Sequence, residues 1–197
     1  METYKPILGL PLYGYYFVGW DKRSIRDFWK DIIAHQSERI LQLNHLINQD
    51  NEFKNLKLDY SPHSLIPLGE WLKNHIAIQP KSKELYDIEA VRLGDMDTPS
   101  PYEFTPMTLS ICLDISLYYG NIILNKLGDR TWHINTNVAQ SNLNYGALGI
   151  KGNVKNVVFY PLKYIIGACT KAINGKFDPG YLFSLYEIQI KMINAKS

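Results

Sequence analysis

The sequence predicts an α+β fold: a helix-rich single domain over residues 1–197, packed around one central buried helix at about 107–127, with a small antiparallel sheet at about 130–160. Three observations predict it. Residues 107–127 are apolar around most of a helical circumference, which marks a helix enclosed by its own domain. The segments on either side repeat apolar residues at helical spacing. Between about 130 and 160, short β-favouring runs alternate with turn residues.

Composition agrees. Apolar residues make up 46% of the chain and charged residues 20%, enough to bury a core without a disulfide or metal staple. The net charge is +2 and the basic residues are scattered, whereas nucleic-acid binding needs a clustered basic face. Cys112 and Cys169 fall on apolar helical faces and read as buried, reduced thiols that behave as small hydrophobes, which suits a reducing compartment. Pro6, Gly9, Pro11 and Gly14 break the N-terminal apolar run, and no basic leader precedes it, so it does not read as a signal peptide. No uninterrupted apolar window reaches spanning length. The expectation is a cytoplasmic protein, away from membranes.

Residues 1–20 form an aromatic N-terminal arm. Tyr13, Tyr15, Tyr16, Phe17 and Trp20 either pack on the core or present a patch to a partner. Residues 22–49 read as one amphipathic helix, capped by Asp21 or Ser24. Ile25, Phe28, Trp29, Ile32, Ile33, Ile40, Leu43, Leu46 and Ile47 form its apolar stripe. Gln36 and Arg39 interrupt the stripe, and Arg39 is expected to snorkel to the rim. Ser61-Pro62 opens the next helix, with an irregular start because Pro67 comes late. Residues 77–106 are a charged insertion or loop, partly helical around 82–93 and closed by Pro99, Pro101 and Pro106. Strands are expected at 130–137, 146–150 and 155–160. Pro161 begins a helix with Leu162, Ile165, Ile166, Cys169 and Ile173 on its apolar side. The last helix, 181–193, shows Ser184, Glu187 and Lys191 on a narrow wet strip. Ser116 and Gly120 let a second backbone approach the central helix, and the last helix is the expected partner.

One polar row runs along the central helix. At 100° per residue, Ser110, Asp114, Tyr118, Asn121 and Asn125 lie within roughly 80° of each other. The row is either the helix's wet edge or a polar site set into the core. Asp114 is its one acid. The structural reading has Asp114 accept hydrogen bonds that fix neighbouring elements. The catalytic reading needs a second group across a cleft, for which His133 is the candidate, giving a pocket of Asp114, Tyr118, Asn121 and His133.

Other chemistry finds little support. The chain holds no G-x-S-x-G, no P-loop and no G-x-G-x-x-G after a strand. His35, His45, His63, His75 and His133 lack metal-ligand spacing. Asp95-Met96-Asp97 is too short for a calcium loop. No cofactor or metal is expected. The acids Glu84, Asp87, Glu89, Asp95, Asp97 and Glu103 are the candidate partner surface.

The run Asp114-Ile115-Ser116-Leu117-Tyr118-Tyr119-Gly120-Asn121, with Trp132 after it, resembles the D-x-G-x-Y-h-G-E…W signature of a loose group of small uncharacterised bacterial cytosolic proteins. Ser61-Pro62-His63-Ser64-Leu65 with Leu68 and Trp71 is similar to that group's S-P-x-S-L-x-x-L-x-x-W segment, and Tyr160-Pro161 before a helix also fits. The resemblance spans about 60–175. Ser116 replaces the usual glycine, and Asn121 replaces the usual glutamate, which weakens a two-carboxylate mechanism. Some relatives resemble immunity proteins beside secreted toxins. The first expectation is therefore a non-enzymatic protein-binding domain, such as an immunity protein that neutralises a bacterial toxin. The alternatives are a small hydrolase-like enzyme using the Asp114–His133 pocket, and a structural subunit that docks its N-terminal arm on its own copy.

Overall fold

The computed structural model describes residues 4–7, 17, 19–93, 98–140, 142, 144–152 and 158–194. Among these residues, seven α-helices and two small antiparallel sheets form an α+β fold around a central helix.

Asp21 opens α1 (Lys22–Ala34). Its carboxylate accepts from the Arg23 and Ser24 amides at 2.7 and 2.8 Å, which satisfies two free N–H groups of the first turn. The helix expected over 22–49 is in fact two helices. The chain turns at His35 (φ −99°, ψ 7°), and α2 runs Gln36–Asn48. Each half follows a different surface. On α1 the Trp29 indole N–H donates to the Gly146 carbonyl at 2.6 Å and Arg26 reaches Thr136, while α2 packs on the central helix. The apolar stripe itself carried no mark of this break.

The next helix starts irregularly, as its prolines imply. Pro62–Ser64 is a single 3₁₀ turn, and α3 (Leu65–Asn74) follows with Pro67 in its first turn, where no intrahelical N–H bond is lost. Residues 77–106 hold a ribbon that the sequence reading lacked. β1 (Ile78–Pro80) pairs antiparallel with β2 (Tyr102–Phe104), and α4 (Lys83–Leu93) stands between them. Three-residue strands are too short to show a period-two pattern.

Thr105 caps the central helix α5 (Pro106–Leu127), its hydroxyl oxygen accepting from the Thr108 amide at 3.2 Å. Gly128 at φ 72° ends it, a conformation that suits glycine. Every residue from Thr108 to Gly120 is buried. By length and composition α5 is the one described helix that could cross a membrane, and 83% of its apolar window is buried inside the protein, as in the core helix of a folded domain.

β3 (Trp132–Ile134), β4 (Leu148–Lys151) and β5 (Val158–Phe159) form the second sheet, with β4 central and both pairings antiparallel. α6 (Pro161–Ile173) packs along α5, and α7 (Tyr181–Asn194) packs against α3. Two expectations about surfaces need correcting. Ile173 is 46% exposed, and α7 exposes Ile188 and Met192 beside its polar strip. The expected partner of Gly120 also changes. The Trp132 indole, not the last helix, fills that side of α5: a Cβ on Gly120 would lie 2.1 Å from Trp132 Cη2. About two turns back from that contact is the α6 interface, where Cys112 meets Cys169.

Candidate functional site

The polar row on α5 is a chain of separate contacts. At its N-terminal end lies a buried ion pair. Asp114 is fully buried, and its two oxygens accept from Arg39 Nε at 2.9 Å and Nη2 at 2.7 Å. Arg39 comes from α2 and is 9% exposed, so it does not snorkel to the rim. A guanidinium presents two parallel donors that match a carboxylate, which explains why an arginine interrupts the apolar stripe of α2 at this position. The N-terminal segment closes the site. The Tyr4 hydroxyl donates to Asp114 Oδ2 at 2.5 Å and accepts from Arg39 Nη2 at 3.0 Å. Arg39 Nη1 donates to the Lys5 carbonyl at 2.6 Å, and the Ile7 amide donates to Ser110 Oγ at 3.0 Å. Ser110 Oγ also accepts from Arg39 Nη2 at 2.9 Å. Three separate pieces of chain are thereby joined at one carboxylate.

Burial outweighs pairing in setting the proton affinity of this carboxylate. Burial pushes Asp114 up to about 6, against the opposing pull of Arg39 and the Tyr4 hydroxyl. A carboxyl that holds its proton more tightly folded than unfolded favours folding below its unfolded value. That contribution is lost as pH rises through about 6. Between about pH 4.5 and about pH 8, the wild-type chain is therefore expected to lose about 2 kcal/mol relative to an Asp114→Asn chain. Urea melts of both chains at the two pH values measure the gap. A gap that stays constant, or widens in the wild type's favour at high pH, refutes the ordering of the two effects.

Further along the row, Tyr118 serves a different partner. Its hydroxyl accepts from the Tyr60 amide at 2.9 Å and lies 2.6 Å from Ser64 Oγ. The Ser64 hydroxyl donates to the Ser61 carbonyl, so the proton in the Tyr118–Ser64 contact comes from the tyrosine. Tyr60 sits at φ 61°, a costly conformation for a residue with a Cβ. The bond to Tyr118 and the packing of the two rings, 5.1 Å apart, hold it there. Ser64 also lines a groove of about 580 Å³ whose rim carries Glu52, Lys57, Asp59 and Glu70. Asn121 Nδ2 donates to Gln36 Oε1 at 3.0 Å, and Asn125 is exposed.

The structure therefore gives Asp114, Tyr118 and Asn121 separate partners. His133 lies on β3 opposite Gly149. Burial and the nearby Lys151 lower its pKa. Asp114 is not among the groups that act on it. The residues that complete the Asp114 site, Tyr4 and Arg39, were not among the sequence candidates. Arg39 did carry a signal, as a charge set in an apolar stripe. Tyr4 carried none, because nothing local to residues 1–7 points to a helix more than a hundred residues away.

The candidate acidic surface is also redistributed. Glu89 turns inward onto Lys81, and Glu103 is half-buried beside Gln79. Asp87 is exposed and bonded to Lys83 at 2.5 Å, and Glu84 is exposed. Asp95 and Asp97 lie outside the described residues, as do Tyr13, Tyr15 and Tyr16 of the aromatic arm. Phe17 is buried in an aromatic cluster with Trp20, Phe28 and Trp29. Among the described residues, no three His, Cys, Asp or Glu side chains gather so as to hold a metal ion. No known family, curated protein or solved structure matches the chain.

Proposed function

We propose that this is a non-enzymatic binding protein that docks another protein through the 77–106 excursion. One observation carries the reading. Within α4, none of residues 83–91 is buried, and Val91 is 84% exposed. Leu85, Tyr86, Glu89 and Ala90 are only half-buried, and an 11-residue helix is marginal in water without a fully packed face. Ile88, Val91 and, on the adjoining ribbon, Ile78 and Tyr102 are exposed apolar side chains, of the kind that pack at the centre of an interface. With Glu89 and Glu103 drawn inward, the surface offers apolar contact bordered by Glu84 and Asp87 more than an acidic field. The partner that fits is a protein with an apolar patch and a few basic groups at its edge.

The narrower form of the proposal, an immunity protein that neutralises a bacterial toxin in the cytoplasm, rests on the resemblance of residues 60–175 described above. It requires a partner that is harmful by itself. A photo-reactive amino acid placed at Val91 in the native host is expected to cross-link one protein. The complex should weaken at least about tenfold in a Val91→Glu chain, since a charge on a desolvated contact is costly. The captured protein, expressed alone, should arrest growth that co-expression restores. A complex that is indifferent to Val91→Glu refutes the docking surface. A harmless partner refutes the immunity form.

A further inference from the structure

We infer that Cys112 and Cys169 are a site of intrachain disulfide formation that staples the central helix α5 to α6. They are the two cysteines of the whole chain. Although 57 positions apart, they meet across the α5–α6 interface with their sulfurs 3.4 Å from each other, and both are free and fully buried. The sulfurs need to close by roughly 1.4 Å to reach bonding distance, a displacement shared between two side chains and two helices. A metal is a poorer occupant of the same place. No third ligating side chain stands with the pair among the described residues, and a structural soft-metal site needs more ligands than two.

The oxidant is a low-molecular-weight disulfide. One cysteine thiolate attacks a sulfur of that disulfide, which forms a mixed disulfide and releases one thiolate. The second cysteine thiolate attacks the protein sulfur of the mixed disulfide, forms the Cys112–Cys169 bond and releases the second thiolate. Two protein thiols are oxidised, one small disulfide is reduced to two thiols, and the two protons pass to the departing sulfurs. Burial sets the kinetics. A mixed disulfide has no room in the closed interface, so exchange proceeds when α5 and α6 separate or before they dock. The hydrogen bond to Cys169 and burial raise the Cys112 pKa, which makes the thiolate scarce in the folded state. The pair therefore oxidises slowly once folded, and the bond, once made, is shielded from reducing thiols in the same way. It acts as a staple and not as a fast sensor.

The test uses the full chain, unfolded in urea and refolded in a mixture of reduced and oxidised glutathione. It is then quenched in acid and treated with a maleimide under denaturing conditions. The expected product is a monomer lighter by two hydrogens that takes up no maleimide, with a peptide map that joins Cys112 to Cys169. Its Tm is expected to exceed that of the reduced chain by roughly 10 °C, given the length of chain the bond encloses. Two maleimides per chain, glutathione adducts or interchain dimers would each overturn the inference, as would a Tm at or below that of the reduced chain. A Cys169→Ala chain should acquire one glutathione at Cys112 under the same refolding. This identifies the resolving thiol even if the variant does not regain its fold, because the exchange chemistry precedes docking.

Discussion

Replacing Arg39 by methionine is expected to destabilise the fold by about 4 kcal/mol. Methionine keeps most of the apolar stem, so the loss comes from the charge. Asp114 is fully buried, and both of its oxygens accept from Arg39. Without the guanidinium, the carboxylate keeps the Tyr4 hydroxyl as its remaining strong donor and faces an interior that solvates charge poorly. The Lys5 carbonyl and Ser110 lose a donor as well. The companion prediction is the sharper one. Removing both charges, in an Arg39→Met, Asp114→Leu chain, is expected to recover most of the loss. The attraction within a buried pair largely offsets its desolvation, and an apolar pair of similar volume carries neither term. Urea midpoints for the two single variants and the double variant complete the cycle. A single substitution that costs less than about 1 kcal/mol would mean that water reaches the pair. A double variant as weak as the worse single would mean that the network adds far more than its two charges.

The second large effect is expected at Gly120. Glycine in a helix interior is normally a weakness, and a residue with a side chain gains up to roughly 1 kcal/mol in helix propensity. Here packing reverses the sign. The Trp132 indole lies where a Cβ would go, with Cη2 at 2.1 Å and Cζ2 at 2.7 Å from it. A Gly120→Val chain is expected to lose about 3 kcal/mol, because the indole must leave its seat and β3 moves with it. Trp132 pairs with Ile150, and Ile150 with Phe159, so the disturbance travels across the sheet. Unfolding by urea measures the loss. Pairing the substitution with Trp132→Leu is expected to restore part of it. A Gly120→Val chain as stable as the wild type would show that the indole has another place to go.

How much of this was legible in the sequence differs from residue to residue. The central helix was legible nearly to the residue, because a long apolar run with Thr105-Pro106 before it and Gly128 after it satisfies several local rules at once. The three-stranded sheet was legible for a similar reason, with β-favouring runs set between turn residues. The break at His35 was not, since the stripe continues across it without a proline or glycine. The β1–β2 ribbon was not, since its strands are three residues each and pair across α4. The polar row could be read along one face of α5, but most of its partners could not. A helical wheel gives direction and not distance: it set Ser110, Tyr118 and Asn121 beside Asp114, and His133 was offered only as a group across a cleft, whereas the fold keeps Ser110 there and supplies Arg39 from α2 and Tyr4 from the N-terminal segment.

Local pattern was enough to determine the class of fold, the identity of the core helix and the presence of polar groups within it, because these follow from burial and periodicity along one stretch of chain. The fold alone decided which charge meets Asp114, which ring fills the space at Gly120, and that two cysteines 57 residues apart come within 3.4 Å. Those meetings depend on how elements dock, and docking minimises the free energy of the whole interior rather than of any segment within it.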